Sequence, residues 1–191
     1  MNFQRLGVKL FVQEPSSLKI HDFVPVFHTW IQEQSIEDHL LIDVHDYSHV
    51  HRGPGILLVA HEGNFSMDLG EDRLGLFYYR KQPLDGSPRR RLQTILKTTL
   101  QACRLLEDNR ALAGLQFKSD ELLVIGNDRL QAPNTEETFE QFKPVLSEVL
   151  THLIDSSDLT LTRQQDPQER FAVVAKTTAS PGTGTLLERL S

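Results

Sequence analysis

His45, Asp46, His49, His51, His61 and Glu62 lie close together in the 191-residue chain. Neutral imidazole and carboxylate are ligands suited to zinc, nickel or iron. His49 and His51 share a face if their stretch is extended. His49, His61 and Glu62 are therefore the candidate set for a transition metal, and the enzyme it would serve is a hydrolase or oxidoreductase. No HExxH helix frames these residues, because His61-Glu62-Gly63-Asn64 follows directly on the apolar run Ile56 to Ala60. Two other readings stay open: histidine acid–base chemistry, and solvated strand-end histidines bonded to their neighbours.

A second polar group closes another apolar run. Leu122 to Gly126 (LLVIG) leads into Asn127, Asp128 and Arg129, with Asn134 ahead of a helical pattern. Asp128 can fix Arg129, and a helix start offers free N–H groups to an anion, so a phosphate-containing small molecule is a candidate ligand. The plainer reading makes Asn127 and Asp128 turn formers and Asn134 a helix cap. If the two apolar strands are sheet neighbours, His61, Glu62 and Asn64 line one pocket with Asn127, Asp128 and Arg129.

Charge is unevenly distributed. Residues 80 to 104 hold seven basic side chains and one acid, a net +6 in a chain of net −6, which leaves −12 elsewhere. Arg89, Arg90 and Arg91 fall in the first turn of a helix opened by Ser87-Pro88, where the macrodipole disfavours positive charge by about 0.3–1 kcal/mol each. That cost calls for a compensating partner, either an anionic or protein surface or the protein's own acids. Overall acidity and the lack of an RNP, KH or zinc-finger pattern argue against nucleic acid. No GxSxG elbow, Walker loop or GxGxxG fingerprint is present.

The elements that must position these groups follow from periodicity. Val8 to Val12 reads as a strand ending at Glu14-Pro15, and Ile20, Phe23, Val24, Phe27, Trp30 and Ile31 mark one helix face, capped by Asp22. Leu40 to Val44 and Ile56 to Ala60 are continuous apolar runs around Gly53-Pro54-Gly55, the pattern of strands covered on both faces. Leu74, Leu76 and Tyr78 alternate as a hairpin partner. Leu92 to Leu106 forms a helical stripe that includes Cys103, and short strands at 115–118 and 122–125 are joined by Ser119-Asp120.

Asn134 with Glu137 opens a third helix through Leu153, in which Pro144 predicts a kink near Glu140 or a division. Leu159 to Thr162 and Phe171 to Ala175, around Asp166-Pro167, make a closing hairpin. Each helix is followed by hairpin strands, without βαβα alternation. The expectation is a single α+β domain over 1–176, a mostly antiparallel sheet of about seven to eight strands with three helices packed on it, and a flexible tail over 177–191.

Composition sets the outer bounds. One cysteine rules out an internal disulfide and cysteine zinc sites, and no apolar run reaches the length of a membrane span, so a soluble cytoplasmic protein is expected. DYSHV (46–50), GPG (53–55), HEGNF (61–65) and NDRLQAPNTEETF (127–139) resemble a set of bacterial proteins of about this length. The resemblance implies a bacterial, cytoplasmic setting and carries no activity, cofactor or site residue. The functional expectation is a non-catalytic binding or assembly module that engages a protein partner, a second copy of itself or an anionic partner through the strand-end pocket and the basic helix start.

Overall fold

The computed structural model describes residues 3–14, 16–166 and 168–190. Pro15, Pro167 and Ser191, named above as strand stop, turn and tail end, lie outside the described residues. In chain order the elements are β1 (Leu6–Val12), α1 (Phe23–Glu33), β2 (Leu41–Tyr47), β3 (Gly55–Ala60), β4 (Gly63–Asp68), β5 (Gly75–Arg80), α2 (Pro88–Glu107), β6 (Phe117–Gly126), α3 (Glu136–Ile154), β7 (Thr160–Arg163), β8 (Phe171–Lys176) and α4 (Thr183–Glu188). The strands form one antiparallel sheet in the order β2-β3-β4-β5-β1-β6-β8-β7, so the α+β class holds.

Strand period decides which side chains meet the helices. Val8 stands between Tyr78 and Val124, and Leu10 between Leu76 and Leu122, so these residues form rows on one face. That face joins Phe23, Phe27 and Trp30 of α1, Leu92, Leu96 and Cys103 of α2, and Phe142, Leu146 and Leu150 of α3 in the main core. The intervening residues build a smaller apolar cluster on the opposite face: Phe11, Phe77, Leu123, Ile125 and Ala172.

Long side chains and turns cover that second cluster in place of a helix. The Arg73 guanidinium lies 3.7 Å from the Phe11 ring centroid and Arg170 lies 5.8 Å from that of Phe77. Gln164 Nε2, beyond β7, donates to Glu71 Oε2 before β5 at 3.0 Å, and Arg52 of the β2–β3 turn is 3.7 Å from Glu169 of the β7–β8 turn. A flat sheet would hold its outermost strands about 33 Å apart. These contacts need a sheet that twists and bends until its ends approach.

Several local expectations are corrected. β2 is an edge strand with Ile42 53% exposed and Leu40, just before it, 59% exposed, although the apolar run Leu40 to Val44 resembles a central strand. A register shift between Leu41 and Asp43 interrupts its alternation. The GPG turn holds, with Gly55 at φ +62°, a conformation glycine adopts without penalty. Residues 117–126 are one strand, because Ser119 and Asp120 stay in the sheet and a register shift between Leu10 and Val12 absorbs the irregularity. Gly63 and Asn64, read with His61 and Glu62 as a polar strand end, instead open a further strand, β4, through Asp68.

The helix ends and the tail also differ. The Asp22 carboxylate takes the Lys19 N–H at 2.7 Å and caps no amide of α1. Thr135, not Asn134, caps α3 by accepting the Thr138 N–H at 3.2 Å. α3 runs through Pro144 as one helix, with Pro144 and Glu140 both exposed, so the carbonyl that loses its intrahelical bond can be hydrated. Residues 177–190, expected to be a flexible tail, instead carry α4, with Leu186 only 2% exposed. Its stripe Thr183, Leu186, Leu187 and Leu190 supplies the apolar contact that the surrounding glycines and threonines conceal in the sequence.

Candidate functional site

The structure disperses the expected metal set. His49 sits in the turn before β3, whereas His61 and Glu62 follow its far end, so the length of a six-residue strand, about 20 Å, lies between them. Glu62 is committed to the fold: its carboxylate accepts the Leu40 N–H at 2.8 Å, and its carbonyl accepts those of Lys81 and Gln82. Burial opposes its ionisation, but the N–H donors outweigh that and hold the carboxyl below the usual range. Among the described residues no group of three or more His, Cys, Asp or Glu side chains is arranged to hold a metal ion.

The shared pocket does not form either. β3 and β6 run in the same direction but stand four strand positions apart, about 19 Å, with β4, β5 and β1 between them. Asn64 accepts the Ala60 N–H at 3.3 Å and donates to the Tyr79 hydroxyl at 2.7 Å. Asp128 closes its own turn through the Leu130 and Gln131 N–H groups, and Asn127 accepts from Arg170 at 3.3 Å. Asn134 donates to the Gln164 and Asp166 carbonyls and accepts from Arg163, which pins the β7–β8 connection. The space beside Asp128 is a cavity of about 10 Å³, room for no more than a water. Arg129 is exposed beside this turn.

The arginines at the start of α2 find partners inside the chain. Arg89 pairs with Glu148 of α3 at 2.7 Å, and Arg91 Nε donates to the Leu84 carbonyl at 2.8 Å. Arg90 is exposed, and its backbone N–H is capped by the Ser87 hydroxyl. The dipole cost that pointed to an external anion is thus offset internally at Arg89 and Arg91. Cys103 is fully buried, and desolvation pushes its thiol up, so it packs as a small apolar residue.

Two buried polar networks escaped sequence reasoning. Lys9, 2% exposed on the helix-free face, donates to Asp68 at 2.5 Å and to the Gly70 and Arg73 carbonyls. Beside it Arg73 grips Glu121 with two hydrogen bonds of 2.9 Å, and that bonding, against some burial, holds the Glu121 carboxyl at about 2. His39, between α1 and β2, places Nδ1 2.9 Å from the Glu37 carbonyl and Nε2 2.8 Å from the Tyr78 hydroxyl. A carbonyl can only accept, so Nδ1 carries the proton and Nε2 accepts the phenol O–H. The side chains of these networks are bonded to one another and to the backbone, which suits bracing of the sheet.

The β2 margin has no neighbouring strand among the described residues and carries exposed apolar side chains. Ile42 and Tyr47 of the seven-residue strand expose 53 and 37% of their surface, and Leu40 just before it and Val50 in the turn after it expose 59 and 44%. The Val44 N–H, turned away from β3, is held at 2.8 Å by the Asp43 carboxylate. Asp43 and His45 lie 3.5 Å apart on the helix-free face. The sequence carried this signal as an apolar run with interspersed acids, which matches an edge as well as an interior strand. No helix of the described residues is long and apolar enough to cross a membrane. Comparison with protein families, with curated proteins and with solved structures gives no match for this chain.

Proposed function

We propose that the protein is a non-catalytic assembly module in which two copies join edge to edge along β2. The observation that carries this reading is the strand margin without a partner strand, where Ile42 and Tyr47 stand exposed among Asp43, His45 and Asp46, since exposed strand edges bearing large hydrophobic side chains are templates for another strand.

Charge selects the partner and the register. An antiparallel pairing with Val44 on the twofold lets the two Val44 residues exchange N–H···O bonds and places Asp43 of each copy opposite His45 of the other. A pairing centred on Asp43 would instead set the two carboxylates against each other. In the single chain the Asp43 carboxylate guards the Val44 N–H, and pairing releases it toward the opposing imidazole.

Light scattering on the eluting full chain tests this. The expected result is twice the chain mass, reduced to the monomer by Ile42→Glu, which sets a second carboxylate opposite Asp46, or by Asp43→Lys, and restored when Asp43→Lys is combined with His45→Glu. A monomer mass for the unaltered chain, or a dimer indifferent to Ile42→Glu, overturns it.

A further inference from the structure

A cleft of about 520 Å³ opens on a part of the molecule remote from β2. Its walls come from the C-terminal end of α2, the residue after β1, the approach to β6 and the segment leading into α4. The volume falls within the range of small-molecule sites.

The polar groups along it are held in place. Glu107, at the end of α2, accepts the Phe117 N–H at 2.8 Å with one carboxylate oxygen and the Thr183 hydroxyl with the other, tying α2, β6 and α4 together. The Ser119 and Ser180 hydroxyls lie 3.3 Å apart. Arg104 is fixed by Asp108 at 2.7 Å, with Glu107 a further 3.8 Å contact, while Gln116 stands exposed on the wall.

Gly182 and Gly184 complete the lining; Gly182 is the N-cap of α4, a position glycine suits, but nothing within the fold explains Gly184. Neither has a positive φ, and a Cβ built on either would meet no atom within 4 Å. Gly184 lies inside a six-residue helix, where glycine costs about 1 kcal/mol relative to alanine. Backbone geometry and internal crowding are the usual reasons for glycine, and both are missing at Gly184. Clearance for something that lies against the backbone is the reason left.

The chemistry of the walls narrows what that is. The one cation is already neutralised by Asp108, and the Glu107 carboxylate repels an anion. Hydroxyl and carboxamide groups, which both donate and accept, dominate the rest. We propose that the cleft binds an uncharged polyhydroxylated small molecule, a sugar or polyol, lying across Gly182 and Gly184.

Titration of the full chain with maltose, myo-inositol and inorganic phosphate, followed by amide NMR, tests the site. Saturable shifts with maltose or myo-inositol at Arg104, Gln116, Ser119 and residues 180–185 are expected. Gly184→Leu should weaken that binding by about tenfold or more while the melting temperature holds or rises, because leucine favours the helix. Gln116→Ala should weaken it without touching α4. The proposal is overturned if neither polyol gives a saturable shift, if Gly184→Leu binds as tightly as the unaltered chain, or if phosphate alone saturates the cleft.

Discussion

The Tyr78 hydroxyl donates to His39 Nε2 across 2.8 Å, a direction that requires the neutral imidazole. Burial lowers the His39 pKa. The unfolded chain therefore holds more protons on this side chain below its ordinary pKa, so the stability His39 contributes is full above about pH 6.5 and is lost as the pH falls below it. Urea midpoints measured from pH 8 to pH 5 should fall more steeply for the unaltered chain than for His39→Gln. Parallel profiles would show that the ring is indifferent to its charge. Tyr78→Phe should cost about 1 kcal/mol at neutral pH by leaving a buried acceptor unpaired.

Glu121 behaves in the opposite sense. Its carboxyl is held at about 2, chiefly by the two Arg73 hydrogen bonds, so its contribution is full above the ordinary glutamate pKa near 4.5 and disappears as the pH drops toward 2. The Arg73 side chain is 39% exposed, which screens the pair, and Glu121→Gln should cost on the order of 1–2 kcal/mol at pH 7. Chemical denaturation at pH 7 and pH 3 should show that difference narrowing in acid. A gap that widened in acid would contradict the pairing.

The C-terminal segment provides a test of packing. Leu186 is 2% exposed, and Arg189 donates to the Leu153 carbonyl at 2.9 Å. Leu186→Ala should lower stability by about 2–4 kcal/mol, the range for emptying a buried leucine site. A freely moving tail would tolerate the change with no shift in the denaturation midpoint.

At the start of α2 the expected effects are small and separable. Arg89 and Glu148 are each about half exposed, so Arg89→Ala should cost less than about 1 kcal/mol, and Glu148→Ala combined with it should add little. A double-mutant cycle by thermal denaturation reads the coupling directly. A coupling of several kcal/mol would mean that the pair is far less hydrated than its exposure indicates.

Much of the fold was legible where local chemistry is decisive. Ser87-Pro88 announced α2, with the Ser87 hydroxyl accepting the Arg90 N–H, and the alternation at Leu159 to Thr162 and Phe171 to Ala175 gave the final hairpin. β4 was hidden by its own composition: Gly63, Phe65 and Met67 face the core while Asn64, Ser66 and Asp68 face the other way, a period of two carried by small and polar residues. The site was less legible because pocket formation depends on strand order. Ala60 and Gly126 end similar apolar runs, yet nothing in either run states that three strands separate them. The partners that absorb Glu62, Asn134 and Arg89 lie 22, 30 and 59 positions away in sequence, beyond any motif.

The bend that brings Arg52 to Glu169 limits how far any assembly can grow. The opposite margin, β7, has only four residues, with Thr160 and Thr162 turned outward and its following turn drawn back across the sheet to Glu71. It offers a newcomer little ladder and no greasy surface. The proposed contact of β2 with itself is isologous and leaves neither copy with a free β2 edge, so such an association would close at a pair and would not propagate along this edge into a fibre.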